Sequence, residues 1–299
     1  MASGGPSLLC IGNVTIDEAV QPDGTRSVQA GGDALFAALA ARAHLDRVCC
    51  LAPAGDDLPE EVLGELEAAG VAVPDPARRD LPTIRNVVTY EAGGSRTWEL
   101  VHGEDHFDAM SVHPADVAPE MLAADGILVS GMSGPAQMAL APWLRANSAA
   151  VIYLDLQEDG IAGHEAAWRP AIAASDVFLP SEVEAVAVAG TDDLERAMRM
   201  FRDLGPRTVV VKRAERGCLV LDARDDAVVE VPADPVRPRD STGAGDAFCG
   251  AFAAADLRGA GPVEAARAGA AAARIAIGAP GYRGLLHAAR ARALGAGAA

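Results

Sequence analysis

The sequence predicts an α/β fold, a mostly parallel sheet covered by helices on both faces, with a small second sheet beside it. Three observations predict this. Short apolar runs recur along the chain, helical patterns fill most of the gaps between them, and two stretches instead alternate polar and apolar residues. Continuous apolar runs suit strands buried on both faces, and alternation of strand with helix produces crossovers that cover both sides of a parallel sheet.

Taken in order, SLLCI (7–11) reads as the first strand. Residues 34–45, ALFAALAARAHL, are small and apolar almost all round, as in a helix packed on a sheet. Residues 57–70 form the next helix, with Asp57 and Glu60 at capping-box spacing and Gly70 as the stop. GILVS (126–130), VIYLD (151–155), DVFLP (176–180) and TVVVK (208–212) read as further buried strands, and residues 192–204 and 246–257 as helices. The rhythm breaks at residues 15–29 and 83–101. Their alternation, with Gly93-Gly94 as a turn, predicts a small antiparallel sheet that serves as a lid over a site or as the contact in a homodimer. The proline-rich PADPVRPRD (232–240) is a stiff approach to the glycine-rich stretch after it, and the last residues, ARALGAGAA, are expected to fray.

Composition narrows the function. The 299 residues are half apolar but only 4% aromatic, so the core must come from close packing of small side chains. A formal net charge of −17 disfavours nucleic acid and anionic membranes as partners. The five cysteines, Cys10, Cys49, Cys50, Cys218 and Cys249, form no C-x-x-C pair and read as small buried hydrophobes. The N-terminus lacks a basic leader and a long apolar run, and the protein is read as cytoplasmic.

The chemistry concentrates in DSTGAGDAFCGAF (240–252). At Gly243-Ala244-Gly245 side chains are absent or minimal, so backbone N–H groups can converge on one point, and the helix after them adds its positive end. That is an anion hole. A plain anion site would not want Asp246 beside it, whereas a phosphoryl-transfer site needs a carboxylate to take the proton of an attacking hydroxyl. Phe248 stands where a dinucleotide fingerprint needs a third glycine, and the Gly-Lys-Ser/Thr that a P-loop requires is absent. From these residues alone, a capped helix with small packing residues stays open as the alternative.

Several motifs in order then carry a resemblance. DSTGAGDAFCGAF resembles the C-terminal signature of the ribokinase-like, PfkB-type carbohydrate kinases. CIGNVTIDEAV (10–20), AGGDALFAALAARAHL (30–45), APAGDDLPEEVLGELEAAGV (52–71), SDVFLPSEVEAVAVAG (175–190) and VVVKRAERGCLV (209–220) resemble its earlier segments, so the likeness spans nearly the whole chain. It implies one ribokinase-like domain over residues 1–299, three-layered, with a β lid. It also implies ATP-dependent phosphorylation of a hydroxyl on a small sugar or sugar acid, with a nucleoside acceptor as the alternative and a non-catalytic ligand binder as a second one. By position, Asp246 would be the base. Thr242, Gly243, Ala244 and Gly245 would cradle phosphates, and Asp17, Gly31, Gly32 and Asp33 would meet substrate hydroxyls. Lys212 and Gly217 would lie near the nucleotide, residues 270–284 would border the adenine, and Glu184 would organise Mg²⁺ through water. Some members also hold K⁺ near the signature, where Asp240 stands here.

Three positions depart from the family pattern. Phe36 replaces a common asparagine and reads as core or as an apolar wall for a nucleoside base. Ser181 replaces the asparagine of N-x-x-E and would reroute the metal–water network. Ala214 replaces a common glycine. Outside the motifs, His102 and His106 read as solvated loop residues rather than a zinc pair, and SGMSGP (130–135) as part of the substrate cleft. Arg85, Arg96 and Trp98 lie on the expected lid.

Overall fold

A computed structural model describes residues 4–74, 78–91, 96–236 and 239–296. In chain order its elements are β1 (Ser7–Ile11), β2 (Thr15–Val20), β3 (Arg26–Gly31), α1 (Asp33–Arg42), β4 (Arg47–Leu51), α2 (Glu60–Ala68), β5 (Val71–Ala72), β6 (Ile84–Tyr90), β7 (Arg96–Leu100) and α3 (Glu104–Ala109). Then come β8 (Gly126–Val129), α4 (Gly134–Asn147), β9 (Val151–Leu154), α5 (Arg169–Ala174), β10 (Val177–Phe178), α6 (Glu182–Ala189), α7 (Leu194–Leu204) and β11 (Thr208–Lys212). The chain ends with β12 (Cys218–Asp222), β13 (Val228–Val231), α8 (Ala244–Leu257), α9 (Pro262–Ile277) and α10 (Arg283–Ala296).

The apolar runs build one nine-stranded sheet in the order β13-β12-β11-β10-β9-β8-β1-β4-β5. It is parallel from β5 to β11, and β12 and β13 add an antiparallel edge. The strands feed two cores in alternation. Leu8 and Cys10 of β1 point to the face covered by α1, α2, α8, α9 and α10, while Leu9 and Ile11 point to the face covered by α4, α5, α6 and α7. Close backbone approach replaces aromatic bulk, as the composition requires. A Cβ on Gly250 of α8 would lie 2.1 Å from the carbonyl oxygen of Ala37 on α1, so these two helices touch main chain to main chain. All five cysteines are free, four of them buried and Cys49 half-buried. Among the described residues no helix is long and apolar enough to cross a membrane.

Strand order reverses between β1 and β8. From β1 the chain builds outward through β4 and β5, then returns to lay down β8 to β11 on the other side. In open α/β sheets, ligands bind beyond the carboxyl ends of the strands at such a switch point.

The second sheet has the order β3-β2-β6-β7 and occupies the segments expected to alternate. It is not wholly antiparallel. The β2–β3 and β6–β7 pairs are, but β2 runs parallel to β6. The reason lies in the connection: β6 arrives after a long excursion through the main sheet, so no tight turn forces antiparallel pairing. The Gly93-Gly94 turn falls outside the described residues.

Local expectations are corrected at three further places. Helix α2 begins at Glu60 with Pro59 at its N-cap and no side-chain cap. Asp57 instead accepts hydrogen bonds from Thr83 N at 2.6 Å and Arg85 Nη2 at 2.8 Å, tying this loop to the small sheet. His106 lies on α3 rather than in a loop, and its Nε2 sits 2.8 Å from the Pro82 carbonyl oxygen. The C-terminal residues up to Ala296 continue α10, anchored by buried Leu285, Leu286 and Ala289, where the sequence suggests fraying.

Candidate active site

Each parallel strand near the switch point ends in a polar residue, and these residues converge. Past β1, Asn13 donates from Nδ2 to the Gly131 carbonyl past β8 at 3.3 Å, closing the gap between the two strand ends. Past β9 stands Asp155, and at the end of β11 stands Lys212, whose Nζ lies 2.7 Å from both Asp155 carboxylate oxygens. The pair is buried, with 6% of the Asp155 side chain and 13% of Lys212 exposed. Gln137 of α4, fully buried, holds the loops in register: its Nε2 donates to the carbonyls of Ser130 and Asp155, and its Oε1 accepts from Gln157 N.

The signature turn closes over this floor. Asp240 accepts from Thr242 N at 2.9 Å, from Gly281 N at 3.1 Å and from Gln29 Nε2 at 3.1 Å. Against the effect of burial, these bonds hold its carboxyl below the usual range. Asp240, the residue offered to K⁺ by position, here clasps the turn to the loop after α9 and to β3 of the small sheet. Gly243 then turns with φ +73°, and Ala244 opens α8. The positive φ is one reason for glycine; the other is that a Cβ there would sit 2.2 Å from the Phe36 ring. Phe36 is buried core beneath the turn, which decides between the two readings of that residue. A Cβ on Gly245 would face Lys212 Nζ at 3.6 Å, so the lysine stands directly behind the turn.

Asp246, in the first turn of α8, shares a hydrogen bond with Asp33, in the first turn of α1. Two carboxyl groups can bond only if one keeps its proton. Burial, then the Asp246 charge, pushes Asp33 well above the usual carboxyl range, so Asp33 donates and Asp246 accepts. Burial and the Asp155 carboxylate push Asp246 up to about 6, against the pull of Lys212. Gly131 makes room for this pair, since a Cβ there would lie 2.9 Å from Asp33 Oδ1 and 2.8 Å from Gln157 Oε1.

The other expected residues are spread around this pair. Asp17 on β2 is buried and accepts from Asn86 Nδ2 of β6 at 2.7 Å, and burial raises its pKa. Gly31 leaves space for it, since a Cβ there would lie 2.2 Å from Asp17 Oδ2, and Gly32 at φ +105° turns the chain from β3 into α1. Glu184 is buried on α6 in a reciprocal capping box: Ser181 N donates to Glu184 Oε2 at 2.7 Å, and Glu184 N to Ser181 Oγ at 3.2 Å. Burial and Asp155 push it up to about 7, against Lys212. The serine therefore orients Glu184 through its own helix start. Gly217 is not joined to this cluster by any contact among the described residues. It turns the chain between β11 and β12, where a Cβ would meet the Val231 carbonyl at 2.0 Å. Nearby Ala214 holds φ +50°, a left-handed conformation that explains why glycine is common there.

Sequence reasoning missed Asp155, Asn13, Gln137, Gln157 and Cys249, whose thiol donates to Asp155 Oδ2 at 3.2 Å from the buried side of α8. A signal existed for Asn13 and Asp155: a polar residue closes each apolar run or follows it within two positions, and in a parallel sheet those ends share one edge.

A switch-point cluster of carboxylates under a glycine turn at a helix start, on a mostly parallel sheet with a small second sheet, defines a ribokinase-like α/β protein. The chain belongs to the pfkB family of carbohydrate kinases, whose pattern matches residues 7–288. The family is one of ATP-dependent phosphotransferases acting on sugars and nucleosides. A cytidine kinase of Thermococcus kodakarensis is 29% identical over 84% of this chain and 89% of its own. The adenosine kinase of Sinorhizobium meliloti has the same fold, with TM-score 0.80 and 21% identity over 96% of this chain and 98% of that one. A putative ribokinase II of E. coli in complex with ATP and Mg²⁺ matches with TM-score 0.77 and 21% identity over 97% and 99%.

Proposed function

We propose that the protein transfers the γ-phosphoryl group of ATP to a hydroxyl of a small sugar or nucleoside. One observation carries this reading: Asp246 stands half-buried beside the Gly243–Gly245 turn, its pKa raised to about 6. A base poised near neutrality is matched to taking a proton from a hydroxyl. Asp246 accepts that proton as the acceptor oxygen bonds to phosphorus and the bond from phosphorus to the β-phosphate oxygen breaks. The N–H groups of the turn and the α8 N-terminus stabilise charge on the transferred group. Lys212, fixed by Asp155, adds a positive charge behind the turn. In the resting site protonated Asp33 donates a hydrogen bond to the Asp246 carboxylate, and it turns to an acceptor hydroxyl when substrate enters.

The residues fit a magnesium–nucleotide complex. No set of three ligating side chains occurs among the described residues, and Mg²⁺ characteristically keeps waters and phosphate oxygens while using one or two carboxylates. Glu184 would hold those waters. When bound, the metal supplies neutralisation of the triphosphate. The small sheet would exclude water during transfer. The likeness to a cytidine kinase supports a nucleoside acceptor beside the sugar reading.

Asp246→Asn should lower kcat by about 10²–10⁴-fold while ATP binding and thermal stability persist. In the wild type, kcat/KM should rise with pH through about 6 and then level, as Asp246 ionises. A fully active Asp246→Asn enzyme would refute the assignment.

A further inference from the structure

We propose that the acceptor pocket selects by charge: it takes neutral or cationic, donor-rich acceptors and rejects sugar acids and sugar phosphates. The inference rests on the kinase reading and narrows its substrate class.

The groups on the acceptor side are acceptors of hydrogen bonds. Asp17 lies against Gly31 and Asp33 succeeds Gly32, so the corner between β3 and α1 carries a carboxyl on each side, and Asp246 adjoins the second. Even with one proton held between Asp33 and Asp246, that pair keeps a negative charge, and Asp17 adds its own. Two buried amide oxygens stand beside them without a donor among the described residues. Asn86 gives its Nδ2 to Asp17 and leaves Oδ1 unpaired; Asn13 gives its Nδ2 to Gly131 and does the same. Asn13 is 1% exposed, so bulk water does not serve it. Buried polar atoms left in this state are strong demands for a partner.

Lys212 and three arginines on or beside the small sheet are engaged elsewhere. Lys212 gives its ammonium to both oxygens of Asp155. Arg85 pairs with Asp57, Arg26 with Glu18 and Arg79 with Asp116. Among the described residues, no arginine, lysine or histidine is hydrogen-bonded or ion-paired to Asp17, Asp33 or Asp246. An acid carboxylate or phosphate on the acceptor would meet like charge with no cation hydrogen-bonded to these carboxyls, in surroundings where screening is weak. A hydroxyl or an ammonium group brings donors to these carboxylates, and the ammonium makes the stronger bond.

The test uses the full chain with Mg-ATP and matched acceptors: D-ribose against D-ribonate, D-glucose and D-glucosamine against D-gluconate, and cytidine. ADP release gives kcat/KM, and thermal shift gives binding. The neutral or amino member should exceed its acid by about 100-fold or more, as unscreened like charges imply. Asp17→Asn, which removes a carboxylate from the corner, should narrow that ratio at least tenfold, whatever its effect on absolute rate. Turnover that is equal or better with the acids overturns the inference and leaves the kinase reading standing, as does an unchanged ratio in Asp17→Asn. If no compound is phosphorylated, the kinase reading fails for these acceptors and binding decides: stabilisation by neutral and amino members over acids supports charge selection, and no preference overturns it.

Discussion

The two sheets of this molecule handle charge in opposite ways. At the ends of the large sheet, carboxyl groups are buried or half-buried and pushed toward neutrality: Asp246 to about 6, Glu184 to about 7 and Asp33 well above its usual range. At the base of the small sheet, Asp57 is partly exposed and, although burial opposes it, the Thr83 N–H and the Arg85 guanidinium hold it down at about 2. One region stores electrostatic tension in a rigid frame walled by two apolar cores. The other is pinned by solvated pairs and keeps apolar surface outward, with Val28 64% and Trp98 41% exposed. Buried, mutually repelling carboxyls are poor for stability and good for proton transfer. Their place on the large sheet coincides with the proposed site of chemistry.

The largest expected effect tests that frame directly. Lys212→Met leaves Asp155 buried without its counter-ion, and should lower unfolding stability by about 3–5 kcal/mol in denaturant titrations. Arg85→Met removes an ion pair of similar geometry from the small sheet, where both side chains are at least a third exposed, and should cost less than about 1 kcal/mol. Equal losses would break the comparison. Pairing Lys212→Met with Asp155→Leu should recover most of the loss, because apolar residues of similar volume replace a buried pair well.

A smaller effect comes from the sign of the shifts. A carboxyl with a raised folded pKa favours the folded state fully below its unfolded value, and that contribution is lost as pH rises through the folded value. For Glu184 the window runs from 4.5 to about 7. Glu184→Gln keeps an acceptor for the Ser181 N–H but cannot ionise, so its Tm relative to wild type should climb between pH 5 and 8. Asp57 is lowered, and its contribution is lost only as pH falls from 3.8 through about 2. Asp57→Asn should therefore differ from wild type by a constant amount from pH 5 to 8. Parallel curves for both variants would remove the contrast.

Legibility in the sequence divides along a related line. The large sheet is readable because apolar runs such as SLLCI and TVVVK encode double-sided burial within a few residues. The signature is readable because Gly243, Gly245 and Asp246 are near neighbours in the chain. Asp155 is not readable. Nothing local to VIYLD marks its aspartate as the partner of a lysine 57 positions away, and only the register of three parallel strands brings them together. Phe36 is ambiguous for the same reason, since its meaning depends on Gly243 folding down onto it from another part of the chain. The parallel β2–β6 pair escapes the sequence because alternation shows that a strand has two unlike faces but not which way its neighbour runs.

The smallest effect concerns the joint between the sheets. Gln29 on β3 donates to Asp240, which in turn holds Thr242 of the glycine turn, so one side chain links the small sheet to the proposed anion hole. Gly281 gives Gln29 its place, since a Cβ there would lie 2.7 Å from Gln29 Oε1. Gln29→Ala removes one hydrogen bond to a charged group, a loss of about 1.5–3 kcal/mol at most if it is not replaced by water. The loss should fall on closure rather than on folding. The KM for the acceptor should rise several-fold, kcat should change less, and ATP hydrolysis without acceptor should increase relative to transfer, because a looser sheet admits water. A variant with unaltered KM and unaltered coupling, but a lower Tm, would mean that the contact only braces the turn. The small sheet would then meet the site through Asp17 and Asn86 alone, and the difference between the two sheets would be one of stability without a part in gating.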